Sequence, residues 1–125
     1  NGYGGLEELS TTGPNKISQY FSNNVTSYEL NPEDYGFRGA HISELLGGDT
    51  ATNAEILRGV LNGTIRDAKR DVVLLNAAAA LVVGGKANSL RAALPLAEEV
   101  IDSGAAERKL DALIAYTQKL AAVST

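Results

Sequence analysis

The run VVLLNAAAALVV, residues 72–83, carries one polar side chain, Asn76. With RDAKRD ahead of it and Gly84-Gly85 behind, the pattern predicts a helix from about Arg66 to Val83. A helix without a polar face is a buried helix, so this one demands cover on every side. The apolar stretch is twelve residues long, whereas a membrane span needs about twenty. It therefore reads as the core helix of a soluble protein, with no membrane partner. Ala77 to Ala80 allow neighbouring backbones to come close. A buried amide must find hydrogen-bond partners, so Asn76 is expected to tie down a neighbouring loop rather than contact a substrate.

The rest of the chain must supply that cover. Three more helices are predicted in residues 49–125. One starts at Asp49 or Thr50 and stops at Asn62-Gly63, with Ala54, Ile56, Leu57, Val60 and Leu61 as its apolar stripe. Another runs from about Ser89 to Asp102, with Leu90, Leu94, Ala97 and Ile101 at helical spacing. The last, from about Ala105 to Leu120, is expected to bury Leu110, Leu113, Ile114 and Thr117. Residues 1–48 have a different grammar, rich in Gly, Asn, Ser and Tyr. KISQYF and VTSYEL flank the turn signal SNN and predict a β-hairpin. In NPED, Asn31 caps a short helical turn, Pro32 enters it, and Gly36 ends it. Four helices and one hairpin can enclose the central helix, but a larger α/β domain does so more easily, and a lone hairpin is marginal.

The totals narrow the function. The chain has 125 residues, enough for one core. Its formal net charge is -4, which argues against nucleic acid as the main partner. With no cysteine and one histidine, His41, thiolate and multi-imidazole metal sites are excluded. The polar, glycine-rich opening residues do not read as a signal peptide. A chain that opens on Asn1 and has no methionine is expected to be a fragment.

Several segments offer chemistry. In GGLEELSTTGPNK, residues 4–16, Glu7 and Glu8 are adjacent carboxylates. Such a pair is either a solvated turn or a partial ligand set for a hard cation such as Mg²⁺, completed by water and phosphates. Ser10, Thr11 and Thr12 have no evident base and are not read as nucleophiles. LLGGDTATNAEI has glycines before a helix, as phosphate cradles do, but Asp49 at the helix start repels phosphate and reads as a structural cap. Arg70 in KRD is expected to form surface or interhelix ion pairs, with Asp71 and Asp67 nearby. His41 is read as structural or exposed.

Four blocks occur in order: GGLEELSTTGPNKI, LNPEDYGF, LLGGDTATNAEILRGVLNG and RDVVLLNAAAALVVGGKANSLRAALPLAEEVIDSGAA. Together they resemble the C-terminal part of the anthranilate phosphoribosyltransferase family over essentially the whole chain. The resemblance implies an α/β fold: the C-terminal part of a nucleoside phosphorylase/phosphoribosyltransferase-like α/β domain, here a hairpin followed by about four helices. Residues 1–48 would form the metal-site loop and hairpin region, and 49–125 the helical region. It implies transfer of phosphoribosyl from phosphoribosyl pyrophosphate to anthranilate in tryptophan biosynthesis, with Mg²⁺ on the pyrophosphate, in a cytoplasmic homodimer. The family motif resembling GLDELS makes Glu7 and Glu8 the implied metal ligands. Glu7 stands where the family has Asp, one methylene longer, and Asn1-Gly2 stands where the family often has His-Gly. The family's glycine-rich phosphoribosyl pyrophosphate loop and anthranilate-facing arginine have no counterpart here, so the chain alone is expected to be inactive and to depend on a missing N-terminal part. A pyrimidine nucleoside phosphorylase-like enzyme and a non-catalytic nucleic-acid-binding relative are the alternatives on the same fold.

Overall fold

The computed structural model describes residues 2–123. Strands β1 (Asn15–Phe21) and β2 (Asn24–Leu30) form an antiparallel hairpin in the register Asn15↔Leu30 to Phe21↔Asn24. Ser22 and Asn23 make the turn with φ of 49° and 60°, the paired left-handed conformation whose twist suits a two-residue hairpin loop. Ser18 and Ser27 face each other across the strands and their hydroxyls hydrogen-bond at 3.0 Å. Only the base of the hairpin is buried, at Asn15, Leu30 and the adjoining Pro32.

Two short 3-10 turns follow. In Pro32–Tyr35, the Asn31 side chain accepts from the Glu33 N–H, and Gly36 closes the turn at φ 89°. In Ile42–Leu45, His41 Nδ1 accepts from the Ser43 N–H, and Glu44 accepts from the His41 N–H at 2.8 Å. His41 is thus exposed, in keeping with its sequence context, and caps this turn, a role that the sequence context did not assign.

Four helices complete the chain: α1 (Thr50–Leu61), α2 (Ala68–Val83), α3 (Leu90–Asp102) and α4 (Ala105–Val123). Each of the first three begins where a side chain accepts an otherwise unpaired N–H: Asp49 from Thr52, Asp67 from Lys69, Ser89 from Ala92. The cap at Asp67 is why α2 starts two residues after the predicted Arg66. Lys69 Nζ then donates to the Glu44 carbonyl at 2.6 Å and pins the 42–45 turn to α2.

The core lies between α2 and α3. Leu74 packs with Ala97 and Ile101, and Phe37, Val73, Ala77, Leu81 and Ala106 close around them. Leu75, Ala78 and Ala93 are fully enclosed. Arg70 is only 6% exposed, and its Nη2 donates to Asp102 Oδ1 at 3.0 Å, an ion pair between α2 and α3. Its partner is therefore Asp102 rather than the neighbouring Asp67 or Asp71; Arg66 reaches the same oxygen at 3.4 Å. Asp71 is half-buried, and loss of solvent pushes its carboxyl above the usual range.

Two expectations about burial need correction. The end of α2 is not enclosed: Val83 is 91% exposed. Helix α4 buries less than its pattern suggested: Leu113 is 56% exposed, and the exposed Thr117 spends its hydroxyl on the Ile114 carbonyl. The reason is the same in both places. Among the described residues, no element packs over these faces, so apolar periodicity is not converted into burial.

Two outcomes follow from this packing. Leu74→Ala should lower the unfolding free energy by about 2–5 kcal/mol, the cost of emptying a core site, as read by urea denaturation. Glu44 titrates unlike an ordinary carboxylate: the Arg38 guanidinium first, and the His41 N–H second, hold its pKa down from 4.5 to about 2. Its contribution to stability is complete above about pH 4.5 and fades as pH falls toward 2. A carbon-detected NMR titration should find the Glu44 carboxyl still ionised at about pH 3.

Candidate metal site

The Glu7-Glu8 segment is a tightly folded loop rather than a loose end. The Gly2 N–H donates to the Leu6 carbonyl at 2.8 Å, around a 3-10 turn over Tyr3–Gly5. Gly2 is buried, and a Cβ there would stand 2.3 Å from the Glu8 carbonyl oxygen, so only glycine fits. The Tyr3 ring lies against Gly13, where a Cβ would meet it at 2.6 Å. These two contacts fold residues 2–13 back on themselves.

Two asparagines anchor the loop. Asn76 of α2 accepts the Leu9 N–H at 2.9 Å and donates to the Leu9 carbonyl at 2.8 Å. Its Nδ2 also donates to Val72 O one turn back in α2, at 2.9 Å. Asn15, at the start of β1 and fully buried, treats the next residue in the same way. It accepts the Ser10 N–H at 2.7 Å and donates to the Ser10 carbonyl at 2.9 Å. Thr11 O accepts from the Ala40 N–H at 3.0 Å, tying the loop to the segment before the 42–45 turn. The sequence pointed to Asn76 as a loop tether. It held no hint of Asn15, because an Asn after Gly-Pro reads as a turn residue.

Glu7 and Glu8 precede these anchors and are both exposed. Neither carboxylate has a hydrogen-bond or ion-pair partner among the described residues. They are hard oxygen donors on an anchored backbone, which suits a cation that takes one or two carboxylates and fills its remaining positions with water and phosphate oxygens. Among the described residues no third acidic or imidazole side chain joins them. A zinc-type tetrahedral site is therefore not built among the described residues.

The other candidates resolve as structure. The Ser10 and Thr12 hydroxyls bond each other at 2.6 Å, and Ser10 Oγ also accepts the Thr12 N–H. Thr11 Oγ1 is buried without a partner among the described residues. In the Gly47-Gly48 loop, Asn53 accepts the Gly48 N–H at 2.9 Å and donates to its carbonyl at 3.0 Å. Asp49 takes the Thr52 N–H, and that bond holds its carboxyl below the usual range. The Gly48 and Thr52 N–H groups are thus spent internally and are not free for phosphate. A cavity of about 570 Å³ lies between the 35–37 turn, α2 and α3, away from residues 2–13. Arg66, Arg70 and Arg91 line it, but Asp71, Glu98 and Asp102 cancel their charge.

The chain is similar to known proteins over this whole frame. The family model described as "Glycosyl transferase family, a/b domain" matches residues 1–107. The anthranilate phosphoribosyltransferase of Moorella thermoacetica is 47% identical over 98% of this chain and 36% of its own length. The crystal structure of the Thermus thermophilus enzyme of that name superimposes with a TM-score of 0.79 at 32% identity, covering 92% of this chain and 34% of that one. The Saccharomyces cerevisiae enzyme in complex with PRPP and Mg superimposes with a TM-score of 0.76 at 26% identity, covering 88% of this chain and 32% of that one. The chain thus spans about a third of the length of the relatives it matches. The shared hairpin-and-four-helix frame and the family match over residues 1–107 place this chain in the glycosyl transferase family, within its α/β domain.

Proposed function

We propose that this chain is the C-terminal portion of an anthranilate phosphoribosyltransferase. The whole enzyme transfers phosphoribosyl from phosphoribosyl pyrophosphate to the amine of anthranilate and releases pyrophosphate, a step of tryptophan biosynthesis. The observation that carries this reading is the pair of unpaired, exposed carboxylates, Glu7 and Glu8, on a backbone anchored just after them at Leu9 and Ser10, in a chain so similar to enzymes of that name.

In this reading residues 1–48 supply the metal-site loop and hairpin, and residues 49–125 the helical support. Glu7 and Glu8 would hold Mg²⁺, with water and pyrophosphate oxygens as its remaining ligands. When bound, the ion supplies Lewis-acid stabilisation of the charge that grows on the departing pyrophosphate. The chain's own work is positional. The Asn76 and Asn15 contacts keep the carboxylate loop from rearranging, and the Gly2 approach to the Glu8 carbonyl fixes its curvature.

The partner that this portion needs is the remainder of the same polypeptide, which brings the phosphoribosyl pyrophosphate and anthranilate pockets. Exposed Tyr20, Phe21, Val25 and Tyr28 on the hairpin and Leu113, Tyr116 and Leu120 on α4 support such a covering partner, because exposed apolar groups of this extent mark contact surfaces. No helix of the described residues is long and apolar enough to cross a membrane. A cytoplasmic homodimer without nucleic acid completes the proposal, in keeping with the formal net charge of -4.

Two measurements test this reading. In the whole enzyme, Glu8→Gln should raise the Mg²⁺ concentration needed for half-maximal pyrophosphate release by about tenfold or more. An unchanged Mg²⁺ dependence would remove Glu8 from the site. The 125-residue chain by itself should release no pyrophosphate from phosphoribosyl pyrophosphate when anthranilate is added; measurable turnover would contradict the division of labour proposed here.

A further inference from the structure

The two anchors of the carboxylate loop are not equivalent. Asn15 sits beneath the hairpin, fully buried, and its Nδ2 also reaches the Gly13 and Leu30 carbonyls at 3.3 and 3.4 Å. It holds the loop to its own neighbourhood. Asn76 is 67 residues away in sequence, half-buried on α2, and holds the residue that directly follows Glu8. One carboxamide meets both polar groups of one residue there, as a neighbouring strand would. The third bond, to Val72 O, fixes which end of the amide is which, because the nitrogen must face two carbonyls and the oxygen an N–H. The amide therefore has one satisfied orientation, and it can dock Leu9 in one way.

From this geometry we infer that Asn76 is a positioning residue for the bound cation: through Leu9 it holds the backbone that presents Glu7 and Glu8 before the metal and pyrophosphate arrive. The inference rests on the metal-site reading of Glu7 and Glu8 and adds to it a residue that touches neither metal nor substrate. Two exposed carboxylates with no protein partners are cheap to displace, and a cation that fills its remaining positions with water gains from them only if they stay in place. Side chains that orient metal ligands typically contribute about 10–100-fold in metal affinity.

The test substitutes Asn76→Asp in the whole enzyme. The two side chains have nearly the same shape, but the carboxylate cannot donate to Leu9 O and Val72 O. Its added negative charge would by itself attract a cation, so weaker binding reports lost positioning rather than electrostatics. Mn²⁺, as a spectroscopic substitute, is titrated in the presence of inorganic pyrophosphate and followed by electron paramagnetic resonance, with thermal unfolding in parallel. The expected result is Mn²⁺ binding weakened by about tenfold. A purely architectural Asn76 would lower the unfolding temperature and leave Mn²⁺ affinity at the wild-type value, and that result overturns the inference.

Glu8→Gln runs alongside to separate the two readings. If Glu8→Gln weakens Mn²⁺ and Asn76→Asp does not, the positioning role falls and the metal site stands. If neither does, the metal site falls and takes the positioning role with it. Should Asn76→Asp fail to fold, amide hydrogen exchange in the unmodified, metal-free enzyme decides. A Leu9 N–H protected like that of Ser10 supports a preformed clamp, and exchange at the rate of an open loop overturns it.

Discussion

The pairing of Asn76 with Leu9 joins the two halves of this chain. Leu9 belongs to the loop-and-hairpin half and Asn76 to the helical half. Without it, the segment carrying Glu7 and Glu8 would meet α2 with two unpaired backbone groups, each worth about 1–3 kcal/mol if buried unsatisfied. With it, α2 does two jobs through one residue. Its Leu74 face makes the core with α3, and its Asn76 face receives the N-terminal loop. The arrangement accounts for the single polar side chain in an otherwise apolar run. The helix has to be apolar to pack, and it has to interrupt that apolarity once to hold a strand-like segment that no sheet covers.

The same device recurs twice at shorter range. Asn15 pairs with both backbone groups of Ser10, and Asn53 with both of Gly48. Each asparagine stands in for a neighbouring peptide at a place where the chain runs through irregular backbone. A side-chain amide has the donor and acceptor of a peptide group but only a short stem, so it fixes the partner closely once it is in place. Three such pairings give the loops of this fold a rigidity that their Gly-rich composition would not suggest.

Much of this was legible in the sequence, for identifiable reasons. The turn at Ser22-Asn23, the Asn31 and Asp49 caps, and the stops at Gly36 and Asn62-Gly63 are local events decided by a few neighbouring residues. The role of Asn76 followed from a simple demand, that a buried amide be paired. What was not legible depends on distant contacts. Asp102 as the partner of Arg70 lies 32 residues away, while two nearer acids offered themselves. The exposure of Leu113 and Thr117 could not be read from spacing, because periodicity identifies a face but not whether anything covers it. Glu7 and Glu8 are the sharpest case. The residues alone left both a solvated turn and a cation site open, and the structure adds that the backbone beneath them is held.

The hairpin carries a consequence of its own. From Ile17 to Tyr28 the chain has no charge, no proline and no glycine, and it mixes β-branched and aromatic residues with small polar ones. Among the described residues the sheet has two strands, so each offers an outer edge of backbone donors and acceptors. This is the composition and geometry from which stacked, fibrillar sheets grow. Stripped of whatever normally lies against it, the same hairpin that folds so readily is also a template for copies of itself, and the speed with which it finds its proper cover becomes a condition of solubility.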